Sequence, residues 1–325
     1  GNEDLFPTLL ARRRRRWDPC SRDKTRAQIE GLGPICYPRP FDMPALRLAF
    51  VVFAAALPAA ASSFTPAGDM DRVRPFHTAT LLHDGTVLIT GSSSAQIFDP
   101  VRGGLSPAGA LEHSRQRHTA TLLPNGQVLV AAGGSAVAEL YDPMSRSWSA
   151  TDTLLNPRSR HTATLLEDGT VLLAGGVGTG GDLSSAEIYD PVAGTFTATG
   201  SLSHARSDHT ATLMADGTVL IAGGVDNGSY LTTAEIYDPD TGTFSAASPV
   251  SIARQYHSAT LVENGFVLIA GGSNETGPLA QTEYYDPQDG DFHASDGLGT
   301  RRAHHTATLL ADGAILFTGG FDGTN

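Results

Sequence analysis

The chain has 325 residues, 40% of them hydrophobic, with 36 Gly and 19 Pro, enough apolar material for a folded core and a composition suited to turns. Its net charge of −12 is unevenly placed: residues 1–61 hold 10 of the 22 Lys+Arg and 6 of the 34 Asp+Glu, so residues 62–325 carry −16 and no lysine. That balance excludes the phosphate-neutralising chemistry of nucleic-acid and anionic-membrane binding. Both cysteines, Cys20 and Cys36, precede residue 62, so the rest has no disulfides, thiol nucleophiles or cysteine metal ligands.

Residues 1–42 begin with Gly and contain the basic run Arg12 to Arg16. Alone, that run reads as a nucleic-acid or nuclear-import patch. The next nineteen residues argue instead for an upstream segment outside the mature protein. Met43 to Arg47 is a short basic start, Leu48 to Leu57 an apolar core of ten residues, and Ala59 to Ala61 a small-residue cleavage site. Residues 43–61 thus have the layout of a secretory signal peptide, too short to span a bilayer. The mature chain is expected to start near Ser62, to be secreted, periplasmic or at the cell surface, and not to cross a membrane after cleavage.

From there the chain is periodic. His-Thr-Ala-Thr-Leu-Leu or a close variant recurs at His77, His118, His161, His209, His257 and His305, at intervals of 41, 43, 48, 48 and 48 residues. A period of 40 to 50 with short apolar runs signals a repeat architecture. Each repeat reads as four strands. The first is the His-led run. An Asp-Gly or Asn-Gly pair comes next, such as Asp168-Gly169, and predicts a two-residue type I′ hairpin turn. The second strand is an apolar run ending in a Gly pair, such as Val171 to Gly176. The third is Ala-Glu-Ile-Tyr-Asp, ended by Pro, and the fourth starts at an aromatic seven residues after the Tyr. From His to the second Gly is 15 residues, or 16 in the second repeat, and from the aromatic to the next His always 13. The variable span separates the second and third strands: 6, 7, 13, 13 and 13 residues from Gly to the Tyr slot. A fixed frame with one variable loop per repeat describes a scaffold that presents loops on one face.

Four antiparallel strands per repeat read as one blade of an all-β propeller. The Gly pairs (Gly133-Gly134, Gly175-Gly176, Gly223-Gly224, Gly271-Gly272 and Gly319-Gly320), the third-strand Tyr and the aromatic after it resemble the kelch-repeat family and the similar propeller of galactose oxidase, over about residues 64–325. The first repeat departs, with Gly91-Ser92 for the Gly pair and Leu105 for the aromatic. Phe64 lies 13 residues before His77, so Ser63 to Met70 is expected to form a fourth strand completing a sixth blade begun by Ala307 to Gly320. The expectation is a kelch-type propeller over 62–325, six-bladed, its last blade incomplete in this chain.

Three sets of residues could carry chemistry. The six histidines sit at one equivalent position per blade, and rotational symmetry spreads such residues rather than converging them on an ion, so they are expected to be structural hydrogen-bonding groups and no metal site is assigned. Arg74, Arg115, Arg158, Arg206, Arg254 and Arg302 precede them by three residues, and Glu139, Glu187, Glu235 and Glu283, with Gln96 in the first repeat, recur on the third strand. One Arg and one Glu per blade predicts a repeated pair fastening neighbouring blades. The residue just before each His varies while its neighbours do not: Phe76, Arg117, Arg160, Asp208, Tyr256 and His304. In kelch-like propellers the first strand is innermost, which puts this slot on the rim of the central channel, as a ligand pocket or as a solvated edge. The loops Val177 to Ser185, Val225 to Thr233 and Ser273 to Gln281 read as surface loops; Asp226 to Gly228 lacks the ligand series of a calcium loop.

The resemblance implies two enzyme readings. Galactose oxidase implies a copper radical site with a Cys–Tyr crosslink, for which no cysteine is available beyond residue 61. A sialic-acid epimerase-like activity would have to use Arg117, Arg160 and His304. Neither a nucleophile–base pair nor a carboxylate pair compels an enzyme. The expectation is a secreted binding scaffold without a cofactor, presenting loops on one face to a protein or glycan; the alternative is a carbohydrate-active enzyme with its site at the channel mouth.

Overall fold

The computed structural model describes residues 68–324. The upstream segment 1–42 and the signal peptide 43–61 lie outside the described residues, as does most of the expected strand Ser63 to Met70; Gly68 to Met70, at its end, is not in a strand. Among the described residues no helix is long and apolar enough to cross a membrane.

Six successive repeats form antiparallel sheets, and the fold is an all-β propeller of four-stranded blades. The third repeat shows the plan: Thr162–Leu165 pairs with Val171–Ala174, which pairs with Ala186–Asp190, which pairs with Thr195–Ala198. The second, fourth and fifth repeats have the same four strands in the same order. The first has three, because only six residues separate its Gly and Tyr slots: Val87–Asp99 runs through as one strand, with register shifts at Ser92, Ser94 and Gln96. The sixth shows Thr306–Leu309 paired with Ile315–Thr318.

Burial follows the period of two along each second strand. Val171 and Leu173 face the second repeat, packing with Leu129, Ala131 and Ala138, while Leu172 and Ala174 face the fourth, packing with Val219 and Ile221. Both faces are covered, so all four residues are buried. The core therefore lies between blades, and each blade depends on its neighbours for stability. Tyr189 stands directly opposite Phe196, ring centroids 4.8 Å apart, and its hydroxyl meets Thr151 of the preceding repeat at 3.0 Å.

The Asp-Gly hairpins form, with a different turn from the one expected. Leu166 N–H donates to Thr170 O at 2.8 Å and Gly169 N–H to Leu166 O at 3.1 Å, enclosing a three-residue loop in which Gly169 (φ +86°), and not Asp168, takes the left-handed conformation. A type I′ turn needs both residues there. Asp168 instead accepts the Thr170 N–H at 2.9 Å and its hydroxyl at 2.7 Å, a local bond that favours the looser loop.

The second Gly of each pair is required by close approach as well as by φ. A Cβ on Gly176 (φ +96°) would lie 2.6 Å from Ser159 O and 2.7 Å from His161 Cβ. In the second repeat the role falls to Ala132-Gly133 rather than Gly133-Gly134. Ala132 takes φ +62°, its carbonyl accepts from Arg115 as that of Gly175 does from Arg158, and Gly133 N–H donates to Arg158 O as Gly176 does to Arg206 O. The apparent spacing of 16 is thus the same 15 as elsewhere, with one residue added after it.

Candidate functional site

The segment leading into each first strand, Arg158-Ser159-Arg160-His161 in the third repeat, places three side chains in three environments. Arg158 is buried. Its Nη2 donates to Glu187 Oε1 at 2.6 Å, and its Nη1 to Gly175 O and Ser185 O, both at 2.8 Å. Glu187 also accepts the N–H groups of Leu155 and Asn156 at 2.8 and 2.9 Å. Arg115–Glu139, Arg206–Glu235 and Arg254–Glu283 repeat the pair at 2.6 to 2.7 Å. Each pair lies within one repeat, which corrects the expectation that it fastens neighbours. The crossing loop delivers the arginine to its own blade's third strand, and the clamp holds that loop. The bond between neighbours is made instead by the arginine's backbone carbonyl, which accepts the Gly N–H of the preceding blade. In the first repeat Arg74 meets Gln96, Ser94 and Asp71; in the sixth, Arg302 donates to Gly319 O at 3.2 Å.

The histidines join neighbouring blades. His161 Nε2 meets Thr119 Oγ1 of the preceding repeat at 2.9 Å, and His209, His257 and His305 do the same with Thr162, Thr210 and Ser258; His118 meets both Thr78 and Thr90. His77 places Nδ1 at 3.1 Å from Arg74 O. Burial, reinforced by the adjacent arginine, lowers His118 to about 4 and His161 to about 3, so these rings stay neutral.

The residue directly before each His has a conformation that its side chain gives no reason to adopt. Phe76, Arg117, Arg160, Asp208, Tyr256 and His304 all have φ between +52° and +57°. Left-handed backbone in bulky residues is costly. It is held here by a chain of backbone bonds: Arg160 N–H donates to Arg117 O, Asp208 to Arg160, Tyr256 to Asp208 and His304 to Tyr256, at 3.1 to 3.3 Å. The frame dictates the backbone at this slot and leaves the side chain free.

Those six side chains come together in two groups. Arg117 Cζ lies 3.6 Å from the centroid of the Phe76 ring, a cation–π contact. Arg160 Nη1 donates to Asp208 Oδ2 at 3.0 Å and to the Tyr256 hydroxyl at 3.3 Å, and Tyr256 stacks on His304 with centroids 3.7 Å apart. Burial raises the Asp208 carboxyl against the opposing pull of Arg160, raises Tyr256, and lowers His304.

Beside this rim lies a cleft of about 950 Å³, lined by Arg117, Arg160 and Tyr256 and by parts of two of the three longer loops. Both loops, expected as plain surface, contribute short hairpins to it: Val177–Gly178 with Gly181–Asp182, and Val225–Asp226 with Ser229–Tyr230. Ser159 and Ser207, beside the rim residues, bridge to Val177 and Val225, which seats each hairpin next to its blade's rim residue. Asp182 accepts the Asn227 N–H at 2.6 Å and so links one hairpin to the next. Asp182, Asn227 and Tyr230 are not legible as site residues one by one; the signal is the shared 13-residue spacing in the repeats that have hairpins.

A copper radical centre does not fit this donor set. No cysteine follows Cys36. Among the described residues the group of His, Cys, Asp and Glu close enough to share an ion is Asp286, Asp289 and His293, at the hairpin formed by the third and fourth strands of the fifth repeat and outside the cleft lining.

A model of the Kelch motif matches residues 206–251, the fourth repeat from its clamp arginine onward. A fungal alcohol oxidase of the AA5 family, solved in complex with copper, is similar at 19% identity and a TM-score of 0.52, over 78% of this chain and 72% of that one. The structure of YjhT is similar at 14% identity and a TM-score of 0.62, over 77% and 91%. No curated protein sequence matches the chain. At these identities the likeness is one of fold.

Proposed function

We propose that this chain, a kelch-type β-propeller by fold and by repeat, is a binding module that takes a sugar-containing ligand in the cleft at its channel mouth, outside the cytoplasm. The observation that carries the reading is the cleft lining. Gln116, Ser159, Gln255, Asn227 and Arg160, which carry amide, hydroxyl and guanidinium groups, line the same cleft as the aromatic Tyr230 and Tyr256. Polyhydroxylated rings are held by such a mixture, hydrogen bonds around their edge and an aromatic face against their C–H groups. Binding rather than turnover is favoured because the titratable groups of the rim already engage one another, Asp208 with Arg160, and Tyr256 with Arg160 and His304. Export rests on the signal-peptide reading of residues 43–61.

The alternative, a carbohydrate-active enzyme at the same mouth, is favoured by one observation: the raised Asp208 carboxyl is of the kind used to move protons. A glycan array followed by calorimetry separates the two. The expected result is saccharide binding weakened about fivefold by Tyr230→Ala and by Tyr256→Ala, as loss of an aromatic face costs about 1 kcal/mol, with the saccharide recovered unchanged. Binding unaffected by both substitutions overturns the site, and conversion of the bound sugar overturns the binding-module reading.

A further inference from the structure

Two arginines line the cleft, and they are not equivalent. Arg160 is neutralised by Asp208 at 3.0 Å and also donates to the Tyr256 hydroxyl. Arg117 lies against the Phe76 ring, and among the described residues no carboxylate pairs with it and no side-chain hydrogen bond engages it. This is an unusual place for an unpaired cation, because residues 62–325 carry a net charge of −16 and six of their twelve arginines occupy the slot three residues before His. The other acids near it are committed. Asp208 is held by Arg160, and Asp182, across the cleft lining, accepts the Asn227 N–H at 2.6 Å.

The Phe76 ring also orients the guanidinium. A guanidinium packed flat on a ring keeps its N–H groups in the plane parallel to that ring, so it is pre-organised to meet an anion edge-on without losing the cation–π contact. The half-exposed Phe76 thus fixes the plane of the fork, and the fork matches a planar carboxylate bidentately. Both positions have the left-handed backbone common to this slot, φ +57° at Phe76 and +55° at Arg117, and their side chains meet across adjacent repeats.

We infer that Arg117, oriented by Phe76, is a carboxylate subsite, and that the ligand of this cleft is a uronic-acid-bearing glycan rather than a neutral one. The inference rests on the sugar-binding reading above and adds the chemical class of the sugar. The neighbouring polar groups, Gln116 and Ser114 beside Arg117 and Gln255 beside Tyr256, take the hydroxyls, while the carboxylate goes to Arg117.

The test is calorimetric titration of the chain with oligogalacturonate, the matching neutral galactose oligomer and a galactose 6-sulfate oligomer, at low and at high salt. The uronate is expected to bind at least about tenfold more tightly than the neutral oligomer, a preference that shrinks with added salt. Arg117→Gln should abolish the preference, bringing uronate and neutral oligomer to equal affinity, and Phe76→Leu should reduce it by loosening the fork. Arg146→Gln, an arginine outside the cleft, should leave it intact. Thermal melts of each variant check the fold, and Arg117→Lys separates charge from fork geometry by restoring the first without the second. Equal binding of uronate and neutral oligomers overturns this inference while the sugar-binding reading stands. Tighter binding of the sulfate ester than of the uronate overturns the carboxylate assignment. Binding of none of the three overturns this inference, and the glycan array decides the sugar-binding reading separately.

Discussion

Arg158 and Arg160 are two residues apart, and each pairs with a carboxylate, yet the pairs belong to different regimes. Arg158–Glu187 is withdrawn from water on both sides, at 0% and 0% side-chain exposure, and every acceptor around it belongs to the frame. Arg160–Asp208 is 35% and 7% exposed, joins two different repeats, and shares its cation with a tyrosine. The first pair has a counterpart in three other repeats; the second stands alone among the described residues. An interaction that closes each blade has to repeat with the blade, whereas the residue before each His differs from repeat to repeat, so its contacts do not recur. Sequence repetition therefore separates structural from candidate functional arginines more sharply than burial or charge does.

The largest effect that should divide frame from mouth is acid. The buried histidines are frame residues with lowered pKa, to about 4 for His118 and about 3 for His161 and His257. As pH falls below the ordinary histidine value, the unfolded chain takes up protons that the folded one refuses, so stability falls with falling pH and keeps falling until the folded values are reached. Over two pH units below about 6.5, one such histidine removes roughly 2 to 3 kcal/mol. Urea unfolding of the chain at pH 7 and pH 4.5 should show this loss several times over, and His161→Gln should flatten the dependence by one histidine's share. If the variant and the parent fall in parallel, the ring is not held neutral by the frame.

Next in size is the clamp. Glu187→Ala leaves Arg158 buried without its counter-charge, which costs about 3 to 5 kcal/mol, whereas replacing both partners by hydrophobic residues (Arg158→Met with Glu187→Leu) costs less than the single change. A melting temperature for the double variant at or below that of Glu187→Ala would show that the pair is needed for the backbone groups it satisfies, Leu155 and Asn156 N–H among them, rather than for charge balance.

Legibility in the sequence divides along the same line. The blade plan, the strand order, the buried second strand and the partners of the clamp follow from period, turn residues and alternation, because each repeat restates them. The features that escape the sequence depend on contacts that arise only when blades stack. Nothing in Arg160 or Tyr256 announces a left-handed backbone; it is imposed by the N–H of one rim residue bonding to the carbonyl of the one before. The clamp's placement within a blade rather than between blades turns on which way the crossing loop runs. The turn at Asp168 differs from expectation because Asp-Gly is compatible with two loops, and the Thr170 hydroxyl and N–H select the one in which only glycine is left-handed. Variability singles out the slot before each His, but Phe76 against Arg117 and Tyr256 against His304 are pairs that no spacing encodes.

The smallest expected effect on stability is the one that tests the comparison most directly. Arg160→Gln removes the exposed member of the pair two residues from Arg158. Partly exposed ion pairs contribute about 1 kcal/mol or less, so the melting temperature should move far less than for Glu187→Ala. Its effect should appear instead in the titration of Asp208. Burial already raises that carboxyl and Arg160 opposes the rise, so without the guanidinium the Asp208 midpoint should move further up. Carbon-detected NMR of the side-chain carboxyl reads this directly, with Asp208→Asn identifying the signal. The sign also matters for stability: a carboxyl raised in the folded state holds its proton longer than in the unfolded chain, so this group withdraws stability as pH rises from its unfolded value through its folded one, opposite to the histidines beside it. If Arg160→Gln instead unfolds the chain as Glu187→Ala does, the rim pair is part of the frame, and the mouth loses its claim to be the place where the repeats were free to differ.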